Sequence, residues 1–358
     1  MERQLAVVWN SMWGGKIGYS MHSEELAFAL QRQGVHLMHR PVDHAFSGRP
    51  HTPGLHSALD HALDDDAFQI SYAYADQIYL GHRGFKIGFT MLEVDGLPKS
   101  WVDVLNAVDE VFVPSDFNRE TFSNSGVKTP IQVMPLGVDQ TRFNPSLDGD
   151  PIPDVFMFLS VFEWGERKAP ELLLQAFNRE FKRKEDVVLF IKTMNHDPSV
   201  DIAHQVRALR LDSGGGRICF SVNERIPDDQ RGRLYRSADC FVLPTRGEGW
   251  GMPILEAMAC GLPVIATKWS GQTEFLTDEV AYLLRVRRLT PAVAKCPYYE
   301  GLNWAEPDTG HLQFLLRYVY EHQEEARARG LKASQQVLAS FTWEKAAFRI
   351  RERLRQIP

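Results

Sequence analysis

The sequence predicts an α/β chain made of two Rossmann-like halves, each a parallel sheet with helices on both faces. Three observations predict it. Short buried apolar runs alternate with helical patterns. A stretch rich in Pro, Gly and Asp, NPSLDGDPIPD at 144–154, interrupts that alternation. Beyond it the alternation starts again, and 358 residues leave room for two cores.

In the first half, LAVVW (5–9) reads as a buried strand, followed by a Gly-rich turn and an amphipathic helix over 23–33 that Gly34 stops. Further apolar runs at 68–74, 85–92, 108–113 and 131–136 are bounded by Gly, Pro or Asp. The second half gives strands at 155–162, 187–193, 217–222, 241–245 and 263–267, with helices over 170–184 and from Pro253. These elements divide the chain into an N-terminal domain (1–148), a C-terminal domain (149–340) and a charged terminal helix (341–358). That helix is expected to pack back toward the first domain. Open parallel sheets bind ligands at the carboxyl ends of their strands, so the expected site lies in a cleft between the halves.

Composition narrows the function. Apolar residues are 44% and charged residues 24%, as in a globular chain. The apolar run in MERQLAVVWN is too short for a signal peptide. No stretch approaches the roughly 18 apolar residues of a membrane span, which leaves only peripheral membrane contact open. Residues 1–150 hold 11 Lys and Arg against 19 Asp and Glu, a balance of −8; with −6 overall, the remainder is +2. An acidic first half speaks against nucleic acid and anionic lipid as partners. Cys219, Cys240 and Cys260 lie in or beside apolar runs and are expected to be buried free thiols, while Cys296 stands apart. Unpaired thiols suit a reducing cytoplasm. The acids at 64–66 and at Asp228–Asp229 read as helix-start or loop residues. His82, His196 and the other histidines lack metal spacing, so no metal site is expected.

The chemistry concentrates in FVLPTRGEGWGMPILEAMACGLPVIAT (241–267). A strand ends near Pro244, and Glu248 follows between Gly247 and Gly249. Pro253 suits the first residue of a helix, whose leading amides, including those of Trp250, Gly251 and Met252, could bind a phosphate or sugar oxygen. Glu256 follows eight positions after Glu248 and is expected in the first turn. A plain helix start would explain one acidic residue. It does not explain a second one set among three glycines.

This segment resembles the Glu–seven residues–Glu motif of the family-4 (group 1) retaining glycosyltransferases of the GT-B fold. The resemblance implies two Rossmann-like domains with parallel sheets facing across a cleft, and metal-independent hexosyl transfer with retention from a nucleoside-diphosphate sugar to an acceptor hydroxyl. It assigns Glu248 to the donor sugar, Glu256 to the ribose, and the amides from Gly249 to Met252 to the sugar and phosphates. SVFEWGERKAPELLLQAF (160–177) occupies the place of the family's diphosphate-binding Arg and Lys. Lys168 matches; the Arg position holds Phe162 or Glu163, and Arg167 stands as the substitute. Alone, Arg167–Lys168 would read as a solvated pair before a helix.

The turn NERIPDD resembles the base-binding loop, with Asn223, Arg225 and Ile226 as candidates; Arg225 is equally open to reading as a surface charge. NSMWGGKIGYS (10–20) is similar to the N-terminal Gly-rich loop, so Gly14 and Gly15 are expected beside the donor, with Lys16 read as solvated. Many relatives carry a histidine near 88–101, where this chain offers Glu93, expected at the acceptor or the reacting face. Ser115 and Asn118 in PSDFNRE read as helix-capping residues.

The implied co-substrate is a UDP- or GDP-linked sugar, with no cofactor. The implied acceptor is a saccharide, a protein or a small molecule. Two other readings stay open: a sugar-nucleotide epimerase of the same fold, and a non-catalytic nucleotide-sugar binding protein.

Overall fold

The computed structural model describes residues 5–14, 18–42, 67–81, 83–195, 197–293 and 297–358. It forms two units, Met1–Gly137 with Phe341–Pro358, and Val138–Ser340. The first contains β1 (Ala6–Ser11), α1 (Gly18–Arg32), β2 (His36–Pro41), β3 (Phe68–Tyr72), β4 (Lys86–Phe89), α2 (Lys99–Leu105), β5 (Glu110–Val113), α3 (Asp116–Asn124) and β6 (Ile131–Val133). The second contains β7 (Phe156–Glu163), α4 (Pro170–Glu180), β8 (Val187–Met194), α5 (Ile202–Ala208), β9 (Arg217–Val222), α6 (Arg231–Arg236), β10 (Cys240–Leu243), α7 (Met252–Ala259), β11 (Val264–Thr267), β12 (Tyr282–Leu284), β13 (Val286–Pro291), β14 (Asn303–Pro307), α8 (Thr309–Glu321) and α9 (Gln323–Ser340). The chain closes with α10 (Trp343–Gln356), which belongs to the first unit.

Each unit has a six-stranded parallel sheet, in the order β2-β1-β3-β4-β5-β6 in the first and β12-β11-β10-β7-β8-β9 in the second. Both orders reverse direction once, between β1 and β3 and between β7 and β10. The loops that leave the carboxyl ends of such a pair diverge and open a crevice, which is where open α/β sheets bind ligands. Both sheets are buried on two faces: β3, β5, β10 and β11 are buried at every position. The expected α/β class with two parallel sheets is therefore borne out.

Several boundaries differ from those read in the sequence. Helix α1 starts at Gly18, five residues before the expected 23, because Ser20 and His22 lie on its buried face and do not register as apolar. Helix α4 ends at Glu180 rather than 184. Phe181 turns extended, and its ring enters the core between Phe158 and Phe177. Strand β2 carries His36, His39 and Arg40 and escapes an apolar search. Ser115 caps α3 as expected, accepting from the Asn118 amide, while Asn118 Nδ2 donates to the Leu92 carbonyl. Cys240 and Cys260 are buried, but Cys219 is exposed, because β9 is an edge strand. Cys296, His82, His196 and the acids at 64–66 lie outside the described residues. Among the described residues, no helix is long and apolar enough to cross a membrane.

Helix α10 is fixed to the first unit by side chains far away in sequence. Thr342 caps its start, and a Cβ on Gly137 would come within 2.3 Å of the Thr342–Trp343 backbone. Arg32 pairs with Glu344 on α1's exposed side. At the other end Arg353 grips Glu110 with both Nε and Nη2, and Glu110 is 1% exposed. Removing one partner of a buried pair costs more than the pair contributes, since the other charge stays buried without compensation. Arg353→Met is expected to lower the stability of the first unit by about 3 kcal/mol, the low end of the range for such pairs, because Arg353 keeps partial solvent access. Chemical denaturation of wild type and variant at neutral pH measures it, and an unchanged midpoint refutes the anchoring role.

Candidate functional site

The loops leaving β7 and β10, at the reversal point of the second sheet, carry the candidate residues. After β7 the chain makes a 3-10 turn over Glu166–Lys168 and enters α4 through Ala169, a non-glycine residue with φ 51°. This turn points Lys168 inward, where it is 9% exposed. After β10, Pro244 and Thr245 lead into Arg246, Gly247 and Glu248. The Lys168 ammonium donates to both oxygens of Glu248, at 2.6 and 2.7 Å. Arg167 adds a contact to Glu248 Oε2 at 3.2 Å and one to the Gly247 carbonyl at 2.6 Å. The structure thus joins Arg167, Lys168 and Glu248, which the sequence places 80 residues apart.

Glu248 is 4% exposed. Burial raises its pKa, but the charges of Lys168 and Arg167 outweigh it and hold the carboxyl below its ordinary range. The Glu248 backbone is fixed as firmly as its side chain. Its amide donates to Ser270 Oγ at 2.7 Å, and its carbonyl accepts from the Gly271 amide at 2.9 Å. Ser270 sits at φ 68°, and its hydroxyl also donates to Gln272. Gly271 is required there, because a Cβ would lie 2.1 Å from the Gly249 carbonyl oxygen.

Arg246 ties the two loops together, a role that sequence reasoning missed. Its guanidinium contacts Glu171, Glu306 and the Glu166 carbonyl, and lies 5.7 Å from the centre of the Trp304 ring. Its amide donates to the Arg167 carbonyl and its carbonyl accepts from Ala305. The antiparallel pair β13–β14 therefore braces the Glu248 loop. In the sequence Arg246 looks like one more loop charge, and nothing marked the hairpin.

Helix α7 starts at Met252, with Gly251 at φ 96° before it, so Pro253 is its second residue rather than its first. Glu256 is the fifth and begins the second turn, a correction to the first-turn placement. Among the described residues the amides of Gly249, Gly251 and Met252 have no protein acceptor. The Trp250 ring faces inward, 1% exposed and edge-on to Phe275, so only its backbone faces the loop. Glu256, 2% exposed, receives Arg231 on Oε1 at 2.5 Å and the Tyr235 hydroxyl on Oε2 at 2.7 Å. Neither Arg231 nor Tyr235 stands out as a site residue in the sequence. The two carboxylates are thus held by separate cations.

The remaining candidates are more dispersed. Asn223, at φ 57°, ends β9; its Oδ1 accepts from the Asn195 amide and its own amide reaches the Thr193 carbonyl. Arg225 is exposed and Ile226 half-buried. Lys192, buried at the end of β8, donates to the Glu224 carbonyl and so fixes this turn. In the first unit, Gly14 has φ 72° as a close turn requires, but its amide donates to Glu24 Oε1 at 2.7 Å. That occupied amide corrects the expectation of a donor free for phosphate. Gly15 and Lys16 lie outside the described residues. Glu93 is half-buried after β4, near the Tyr19 hydroxyl, which bonds the amide and carbonyl of Met91. Among the described residues no group of three or more His, Cys, Asp or Glu could hold a metal ion.

Residues 153–296 match the family described as glycosyl transferases, group 1, so the resemblance read from the sequence holds over this segment. The GDP-mannose-dependent alpha-(1-6)-phosphatidylinositol monomannoside mannosyltransferase of Mycolicibacterium smegmatis is 27% identical over 222 residues, covering 58% of this chain and 56% of the relative. The chain spans about half the length, or less, of the curated relatives it matches. Sucrose-phosphate synthase from Thermosynechococcus elongatus superposes with a TM-score of 0.70 at 17% identity, over 99% of both chains. The Anabaena protein HepE, solved with UDP and glucose, gives 0.69 at 14% identity, over 99% of this chain and 100% of that one. These matches bear out the GT-B fold.

The Glu248 pair makes stability depend on pH. A carboxyl whose folded pKa is depressed stabilises the fold above its unfolded pKa, about 4.3, and that contribution is lost as pH falls through the folded value. Lys168→Met removes the stronger of the two influences that lower the Glu248 pKa, so this pKa rises and the stability that Glu248 contributes at neutral pH shrinks. Melting temperatures of wild type and variant between pH 3 and 7 should differ most near pH 7 and converge as pH falls through the Glu248 transitions. Parallel curves would show that Lys168 does not hold the Glu248 charge.

Proposed function

We propose that this chain, a group 1 glycosyl transferase over residues 153–296, moves a hexosyl group from a nucleoside-diphosphate sugar to an acceptor hydroxyl, with retention and without a metal ion. The observation that carries the reading is the buried Lys168–Glu248–Arg167 cluster at the reversal point of the second sheet. When a glycosidic bond to a diphosphate breaks, negative charge builds on the departing phosphate while the sugar becomes oxocarbenium-like. Cations already fixed in a poorly solvated loop stabilise that charge without reorganising at the moment of reaction. Lys168 and Arg167 fit that task. Glu248, its charge maintained by the same cations, accepts hydroxyl hydrogen bonds from the sugar.

The amides of Gly249, Gly251 and Met252 lie at the start of α7 and face sugar and phosphate oxygens, where the positive end of a helix favours an anion. Glu256 binds the ribose, and Asn223, Arg225 and Ile226 line the base. A mannosyltransferase named for GDP-mannose and a structure solved with UDP support a UDP- or GDP-linked donor. The acceptor is a saccharide, a protein or a small molecule bearing a hydroxyl.

A thermal-shift panel of UDP-, GDP- and ADP-sugars identifies the donor. With that donor, Lys168→Ala is expected to lower kcat by about 10²–10³, the cost of removing one charge-stabilising group from a transition state, with a smaller change in donor KM. NMR of the product reads the anomeric configuration, and chelator should leave the rate unchanged. Epimer formed from donor alone would favour the epimerase reading instead, and an unaltered kcat in Lys168→Ala would remove the leaving-group role.

A further inference from the structure

We infer that Arg231 is a positioning residue that sets nucleoside selectivity, by orienting the Glu256 carboxylate so that it discriminates a ribose from a 2′-deoxyribose. The inference rests on the reading of Glu256 as the ribose contact. Its geometry does not. Arg231 and Tyr235 are four residues apart on α6, hence on one helix face, and each takes one oxygen of Glu256. A carboxylate oxygen has two acceptor directions. With one direction on each oxygen occupied, the rotation of the group is fixed, and so are the two directions that remain. A vicinal diol needs two acceptors at set positions, which a carboxylate locked on both oxygens provides and a freely rotating one does not.

The surroundings hold Arg231 in place. Gly232, the next residue, packs so closely on the chain at Arg142 that a Cβ would lie 2.1 Å from the Arg142 carbonyl oxygen. The guanidinium lies 5.3 Å from the centre of the Phe143 ring, and Phe143 packs edge-on against Tyr235 at 5.9 Å. Arg236, one residue beyond Tyr235, donates to the carbonyls of Leu147 and Cys260. Helix α6 is therefore clamped from two sides. The Arg231 side chain keeps 24% exposure while Glu256 has 2%, so the cation retains contact with solvent beside a carboxylate that has almost none.

The test measures binding of UDP and 2′-deoxy-UDP (or the guanine pair, if the donor panel selects it) to the full chain by calorimetry, with melting temperature as the folding control. Wild type is expected to prefer the ribonucleotide. Arg231→Met should reduce that preference roughly tenfold, the effect of losing one charge-assisted hydrogen bond, and Arg231→Lys should restore part of it. Tyr235→Phe, which keeps the ring and the ion pair, should lower the ratio less. It also keeps the inference testable if Arg231→Met does not fold. Glu256→Gln separates the two levels. If it abolishes the preference while folded Arg231 and Tyr235 variants retain it, the positioning role is overturned and the ribose reading stands. If Glu256→Gln leaves the preference intact, the ribose reading fails and the inference fails with it.

Discussion

The ion pair between Lys168 and Glu248 is the contact on which the rest of the candidate site depends. A carboxylate buried to this extent keeps its charge only if cations and hydrogen bonds replace the lost water. Two loops from neighbouring strands meet to provide them, which fixes the path of both. Buried ion pairs contribute little net stability compared with well-packed apolar groups of the same size. A fold does not need this one for its core. Its presence at the reversal point of the sheet, beside amides that have no protein acceptor among the described residues, is what a charged ligand would require.

Holding that pair demands structure from distant parts of the chain. Ser270 and Gly271 fix the Glu248 backbone from the loop after β11. Arg246 draws in Glu171 from α4 and Glu306 from β14, and its amide bonds the turn that carries Lys168. The backbone of this turn is set at Ala169, whose left-handed conformation is costly for a residue with a Cβ. Packing around it offsets the strain, since Ala169 is fully buried. Glu256 shows the same logic on a smaller scale, with both oxygens held from one helix face. The two acids of the motif are thus oriented by different partners, which lets one be altered without the other.

Much of the fold was legible in the sequence, because buried parallel strands leave short runs of Val, Ile, Leu and Phe that little else produces. β10, β11 and the strand–turn–helix course of residues 241–259 follow from such runs and from the glycines between them. The elements that were missed have mixed patterns. β2 is half polar, β13 presents three exposed residues in sequence, and α1 buries serine and histidine. Glu256 moves by one residue, from the first turn into the second, because the helix starts after Gly251, at Met252 rather than at Pro253. Cys219 was read as buried because an edge strand looks like a central one until the strand order is known.

By itself the sequence determined the fold class and the loop with Glu248 and Glu256. Those depend on local periodicity, on glycine at tight turns and on residue types with few other uses in that order. The tertiary structure alone decided which charges meet. Arg167 and Lys168 reach Glu248 across 80 residues, Arg231 and Tyr235 lock Glu256, Arg246 braces the loop, and the Gly14 amide is taken by Glu24. Strand order sets these pairings, and it places side by side segments whose separation along the chain carries no signal. A charged residue in a loop looks solvated in one dimension; only the packed chain shows whether it is buried and what faces it.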